Sequence, residues 1–404
     1  MDHEHSSAAG AARDDAALWG PLAPSTRRVA LEVLRHGPLA RTVLARRLGL
    51  STASLTRITK PLVLGGILKE VTDVSTGAGG RPLQPLDLDP GRQHFVGVKL
   101  TGDQAHGVLT DLRATISATA ECEISTLEPP AVADALEHLV RHLTGPDMGV
   151  AAVGIGLGGV VQDFSHVRRA PFLGWRDVDI GRMLANRLHR PVAVANDLSA
   201  LMEAERWFGD GRDVSQFAVL TIGASVGGGL VIHDRLVTGA DAGVGLLGHF
   251  PIDPLGPLCP EGHRGCAHSL MSIEAVQSQA SLALGRHLSY EDVLDLADAG
   301  DRVAVSIVGI AASAFGTLIA AVANIALPER IIITGEGIRL ADVGWDRLLA
   351  SVQASRNPEA SALDIRLIPD DPMLWARGAA SVAIQRMVLD DLEWSTHARS
   401  VRSR

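Results

Sequence analysis

The side chains best suited to chemistry gather between Leu220 and Ser272. A glycine loop (Gly223, Gly227, Gly228, Gly229) leads to His249. After nine more residues comes a knot, Cys259-Pro-Glu-Gly-His-Arg-Gly-Cys266, which holds two of the chain's three cysteines. Glycines at such spacing let backbone approach a phosphate or a neighbouring strand, and both readings stand here. The two thiols are either metal donors or inert. With Cys122 isolated, cysteine use fits a reducing cytoplasm rather than a disulfide scaffold.

A second set of reactive side chains lies near the N-terminus. Ser51 can cap a predicted helix whose Leu55, Ile58 and Leu62 form an apolar stripe. Thr52, Thr56, Arg57 and Lys60 fall opposite that stripe, with Ser51 and Ser54 at its start. Hydroxyls and cations on one helix face can reach base edges and phosphates in a major groove. Residues 24–82 hold ten Lys/Arg against three Asp/Glu, although the chain as a whole carries a formal charge of -9. A basic module on an acidic body is the footprint of a phosphate-backbone binder. Arg81, on a glycine-rich tip, can enter a flanking minor groove.

The elements that position these residues follow from periodicity. Residues 1–23 lack any period and read as a disordered tail. Residues 24–88 read as three helices and two short strands, a winged helix-turn-helix. Ser25 is expected to cap the first helix and Pro38 to open the second. From 94 to 390 strands precede helices, twice over, with a loop expected after residue 156 and helices over 273–284, 290–298, 302–326 and 341–355. This indicates an α/β body of two similar lobes, about 94–196 and 197–372, with a last helix at 373–389 returning to the first. A ligand is expected between such lobes. Residues 391–404 form a second tail. At 404 residues with 46% hydrophobic content the chain can bury more than one core. No apolar run reaches the ~20 residues of a membrane helix, and Ile307–Leu327 reads as a buried core helix.

Taken in order, Gly80-Arg81-Pro82, Asn196-Asp197 after a strand, the glycine loop, Gly248-His249 and the Cys259–Cys266 knot resemble the ROK family of repressors, open reading frames and sugar kinases, its repressor branch above all. The resemblance covers about residues 24–390. It implies a ribonuclease H-like, actin/hexokinase-type two-lobed body behind the DNA-binding domain. It also implies a sugar or sugar-phosphate effector near Gly158, Asn196, Asp197, His249 and His268, and a structural zinc. The zinc ligands would be His249, Cys259, Glu261 and Cys266. Glu261 stands where the family has a cysteine, and His263 is a spare donor.

Further departures set kinase against repressor. Where the kinases carry an Asp-x-Gly-Gly-Thr-type phosphate loop, this chain reads Lys99-Leu-Thr-Gly-Asp-Gln104, a cation in place of the metal-facing carboxylate. Gly223-Ala-Ser-Val-Gly227 and Gly335-Glu-Gly337 replace two further nucleotide loops. Phe172, Leu246 and His268 replace sugar contacts. The expectation is a non-enzymatic cytoplasmic repressor of carbohydrate genes, a homodimer or tetramer on an inverted-repeat operator. A sugar kinase with an appended regulatory domain, or a regulator that has lost its ligand, are the alternatives.

Overall fold

The computed structural model describes residues 19–20, 22–71, 84–146 and 148–389. The C-terminal tail, most of the N-terminal one and the tip carrying Arg81 lie outside these residues. The chain divides into two compact units, Met1–Phe208 with Trp375–Arg404, and Gly209–Leu374.

The first unit opens with α1 (Pro24–His36), α2 (Arg41–Leu48) and α3 (Thr52–Leu64), then the antiparallel pair β1 (Lys69–Glu70) and β2 (Leu86–Asp87). Ser25 is not the cap of α1. Ala23 occupies that position without a side-chain bond, and Pro24 at the first turn presets the helical φ. Pro38 does not open α2 either, because Leu39 bridges to Leu86 and the helix begins at Arg41. Gly49, at φ 64, ends α2 by bonding back to Ala45 and Arg46.

The body follows as β3 (Phe95–Leu100), β4 (Gln104–Thr110), β5 (Ile116–Glu123), α4 (Pro129–Thr144), β6 (Ala152–Leu157), β7 (Val160–Gln162), β8 (His166–Ala170), β9 (Trp175–Val178), α5 (Ile180–Leu188), β10 (Val192–Asn196) and α6 (Asp197–Phe208). The main sheet runs β10-β6-β3-β4-β5, with the first two neighbour pairs parallel and the last two antiparallel. The expected loop after residue 156 contains β7, β8 and β9, a small antiparallel sheet. Arginines and histidines on its partly exposed faces hide the alternation that marks a strand.

The second unit holds β11 (Phe217–Ile222), β12 (Val226–Ile232), β13 (Arg235–Leu236), α7 (Ala267–Met271), α8 (Ile273–Leu284), α9 (Tyr290–Asp298), α10 (Arg302–Ala326), β14 (Arg330–Thr334), α11 (Arg339–Val343), α12 (Trp345–Ala354) and β15 (Asp364–Leu367). Its sheet runs β13-β12-β11-β14-β15 with the same parallel and antiparallel pattern. Both units therefore carry one topology, a duplication already visible as repeated strands followed by helices. The helix expected over 341–355 is broken at Gly344. A methyl there would meet Ala312 Cβ at 2.3 Å, so α10 packs directly against the break. By length and composition α10 could cross a membrane, but Phe315, Leu318 and Ile319 lie fully buried in this unit's core.

The last helix, α13 (Pro372–Leu389), places its residues from Trp375 onward in the first unit. It lies on the main sheet where side chains are smallest. A methyl on Gly154 would stand 1.9 Å from Ala379 O, and one on Gly97 2.0 Å from Ala376 O. Gly378 in turn approaches Ala200 and Leu201 of α6. That packing keeps α6 in the first unit, so the boundary falls after Phe208 and not at the expected 196/197.

The N-terminal helices share a core with this body. Val29, Val33, Leu34, Leu44 and Leu55 pack in one cluster with Phe95, Leu112, Trp207, Ile384 and Val388. Polar ties reinforce it. Arg113, after β4, donates from Nε to Leu34 O at 3.0 Å and from Nη2 to Val33 O at 3.1 Å, and pairs with Asp87 at 2.5 Å. A cation on the terminal carbonyls of α1 also answers the negative end of the helix dipole.

Candidate functional site

Helix α3 begins as its sequence requires. Ser51 Oγ accepts the Ser54 N–H at 3.2 Å, and Leu55, Thr59 and Leu62 are buried. Two expected reading groups are thereby engaged locally, since Ser51 and Ser54 also bond each other's hydroxyls at 3.0 Å. Thr56 donates its hydroxyl back to Thr52 O at 2.9 Å. Thr52, Thr56, Arg57 and Lys60 are exposed. Among the described residues, the side chains of Arg57 and Lys60 make no hydrogen bond or ion pair. Arg81 lies outside the described residues.

Much of the module's positive charge is used elsewhere. Arg27 donates to Leu389 O and Arg35 to Arg206 O, both in the body. Arg41 pairs with Glu70, and Arg47 with Glu32 at 2.9 Å. Among the described residues of the module, the exposed cations without an ion pair are Arg28, Arg46, Arg57 and Lys60, and Lys69 lies 3.9 Å from Asp89.

In the first unit, Gly158, Asn196 and Asp197 come together where β10 meets α6. Asp197 Oδ1 accepts the Leu198 N–H at 2.9 Å and an Asn196 N–H at 3.3 Å. Its Oδ2 forms an ion pair with Lys99, whose ammonium also lies 4.7 Å from the centroid of the Trp375 ring. Sequence reasoning placed Lys99 in a phosphate loop but did not show that it would reach Asp197. Asn196 accepts from Ser199 N and Oγ and donates to Gly159 O as well as Asp197, so its amide is saturated within the chain.

In the second unit, the glycine loop serves packing. Gly227, Gly228 and Gly229 lie within β12, and a methyl on Gly228 would meet Leu247 at 2.3 Å. Glu336 places a carboxylate oxygen 3.4 Å from a methyl built on Gly223. Gly335 and Gly337 both abut Ile222.

The knot is held by a turn from Cys259 to Gly262 and by bridges of Leu258 with Arg264 and Pro251 with Cys266. His249 Nδ1 is 3.8 Å from Cys259 Sγ and 4.0 Å from Cys266 Sγ. His263 Nδ1 is 3.6 Å from Cys259 Sγ. Ligand atoms of His249, Cys259 and His263 all lie within 4.8 Å of one another. A tetrahedral zinc with bonds of about 2.0–2.3 Å needs neighbouring donors about 3.5 Å apart, so this donor set fits a small, borderline-soft cation. The spare donor His263 is thus inside the cluster; its four-residue step from Cys259 was the visible clue. Glu261 is also adjacent, since a hydrogen bond from the Cys259 thiol holds its carboxyl below the ordinary range. Burial keeps the His249 ring below the usual histidine range, which favours the neutral, ligating form. His268 stands beside this group, its ring centroid 6.2 Å from that of His249.

The sequence model of the ROK family matches residues 95–383. The xylose repressor of Bacillus subtilis (strain 168) is 26% identical over 274 residues, covering 67% of this chain and 71% of that protein. The DNA-binding transcriptional dual regulator NagC of Escherichia coli (strain K12) is 25% identical over 341 residues, 81% of this chain and 82% of its own. Among solved structures, a ROK family transcriptional regulator, a homolog of the E. coli MLC protein, superposes with TM-score 0.75. It is 24% identical and covers 95% of this chain and 100% of its own. A ROK family glucokinase from Streptomyces griseus, in complex with glucose and AMPPNP, matches with TM-score 0.62 and 25% identity, over 72% of this chain and 99% of its own. With the family model spanning most of the chain and both units sharing one sheet topology, the chain belongs to the ROK family.

Proposed function

We propose that the chain is a sequence-specific DNA-binding transcriptional regulator, a winged helix-turn-helix joined to a non-catalytic ROK body. The observation that carries this is the exposed row Thr52, Thr56, Arg57 and Lys60 on α3, within a three-helix and ribbon module ahead of the body. Repressor names among its relatives support the same reading. Two copies would place two such helices on an inverted repeat. A sugar or sugar-phosphate effector bound to the body would shift operator affinity, for which a coupling of about 1–3 kcal/mol suffices. The regulated genes would serve carbohydrate uptake or metabolism, in the cytoplasm.

The body's chemistry argues against phosphoryl transfer. A general base must be free to take the hydroxyl proton, and the Asp197 carboxylate is held by Lys99. Phosphates need cations or backbone N–H groups around them, yet Glu336 stands beside the glycine loop. Sugar-dependent ATP consumption by the purified protein would overturn this part of the reading and restore the kinase.

Selection from a random duplex pool at ~150 mM salt tests the regulator reading, because non-specific phosphate binding is suppressed there. An inverted repeat with a fixed spacer is expected; absence of any enriched sequence would sink it. With that operator as probe, Arg57→Ala is expected to cost about 1–3 kcal/mol and relax selectivity at one position if it reads a base. If Arg57 touches phosphate, the salt slope falls by about one instead.

Zinc would be held by His249, Cys259 and Cys266, with Glu261 or His263 as the fourth ligand. Bound there it would fix the loop carrying His249. Cys266→Ser is expected to lower metal content by at least about tenfold and to reduce the melting temperature. Equal metal in mutant and parent would refute the site.

A further inference from the structure

The hydrogen-bonding groups at the first unit's site are nearly all occupied by the chain itself. Asn196 has no position left. Asp197 Oδ1 is filled by Leu198 and Asn196, and Oδ2 already receives Lys99. A ligand read mainly through several hydroxyls finds little here beyond the remaining acceptor capacity of Oδ2.

What the site does leave open is an aromatic face. Phe172 sits in the short 3-10 turn Pro171–Leu173, closed by Gly174 at φ 65. It is 64% exposed, the most exposed aromatic side chain among the described residues. Phe164, the other exposed phenyl ring, is covered by the Arg386 guanidinium at 4.3 Å. No aromatic or cationic group caps Phe172 among the described residues. Its ring and the Asp197 carboxylate both approach Gly158. A methyl placed on Gly158 would meet Phe172 Cδ2 at 3.5 Å, Phe172 Cε2 at 3.9 Å and Asp197 Oδ2 at 3.7 Å. The phenyl edge and the one incompletely used carboxylate oxygen therefore both border Gly158. An aromatic wall with one acceptor beside it suits a ring that stacks and donates a single hydrogen bond.

We propose that Phe172 is the platform of this subsite and decides its specificity. The ligand is a neutral glycoside bearing an aromatic group that stacks on Phe172, with one sugar hydroxyl donating to Asp197 Oδ2. The Lys99–Asp197 pair is internally neutral, so an added phosphate would gain nothing without breaking it. This deepens the effector part of the proposed function and rests on that reading.

Binding is measured on the full-length protein by calorimetry, without DNA. The probes are phenyl α- and β-glycosides of glucose, galactose, xylose and N-acetylglucosamine, set against the free sugars and their 6-phosphates where these exist. At least one phenyl glycoside is expected to bind tenfold or more tightly than its free sugar. Phe172→Ala is expected to erase that advantage, and Phe172→Leu to keep part of it. Gly158→Ala is expected to block binding while leaving the melting temperature unchanged, since its neighbours stand at 3.5 Å or beyond. Undiminished phenyl-glycoside binding by Phe172→Ala overturns the proposal. So does a sugar phosphate that binds more tightly than every phenyl glycoside, or failure of all the phenyl glycosides. Operator selection is scored separately, so failure to find an operator would sink the regulator reading and leave the subsite result intact.

Discussion

Gly154→Ala is expected to destabilise the first unit by about 3 kcal/mol, a large fraction of the ~5–15 kcal/mol that keeps a domain folded. The added methyl would sit 1.9 Å from the carbonyl oxygen of Ala379. Backbone faces backbone there, so no side chain can rotate away. Relief requires lifting α13 off β6 and β3, and Gly97 sets the same constraint one strand over, 2.0 Å from Ala376 O. Denaturant unfolding of Gly154→Ala and Gly97→Ala checks this, with Gly239→Ala as control because nothing lies within 4 Å of its added methyl. A midpoint within error of the parent for Gly154→Ala would mean that α13 does not rest on the sheet as described.

Arg113→Ala is expected to cost about 2–4 kcal/mol and to loosen the N-terminal helices from the body. Removal strands Leu34 O and leaves Val33 O and the Asp87 carboxylate with one donor each, the Gly37 and Leu88 N–H groups. An acceptor left dry costs about 1–3 kcal/mol, and a charged one more. Partial exposure of the pair (21% and 15% of the two side chains) lets water recover some of this, which bounds the estimate from above. Arg113→Lys keeps the charge but gathers its donors on one nitrogen, where Arg113 uses Nε for Leu34 and Nη2 for Val33 and Asp87, so an intermediate loss is expected. Limited proteolysis near Gly37 and thermal melting read the effect. Arg46→Ala, exposed and without a partner among the described residues, should be neutral for stability. A loss below about 0.5 kcal/mol for Arg113→Ala would show that apolar packing alone holds the module.

The sequence carried the fold where its cues are local. The helices over 273–284, 290–298 and 302–326 have the expected bounds because Ser272, Ser289 and Asp301 cap them in sequence-adjacent fashion. The repeated order of strands and helices likewise announced two sheets of one topology. What depended on distant partners was not legible. The β7–β9 sheet shows no alternation, and the break at Gly344 is imposed by α10. Arg27 and Arg35 counted toward the basic charge of residues 24–82, although both bind carbonyls of the body. Asn196 was legible as a polar residue after a strand; that its amide is saturated required the positions of Gly159 and Ser199. Lys99 and Asp197 are 98 residues apart, so only the fold joins them.

The return of α13 to the first unit bears on how the protein is made. Chains emerge from the ribosome N-terminus first, and leading domains commonly fold while the rest is still being synthesised. Here the core beneath α1 includes Ala383, Ile384 and Val388 of α13. The N-terminal helices can therefore complete their packing only when translation has reached α13. Nascent chains, and products that stop before α13, would carry N-terminal helices whose core is incomplete.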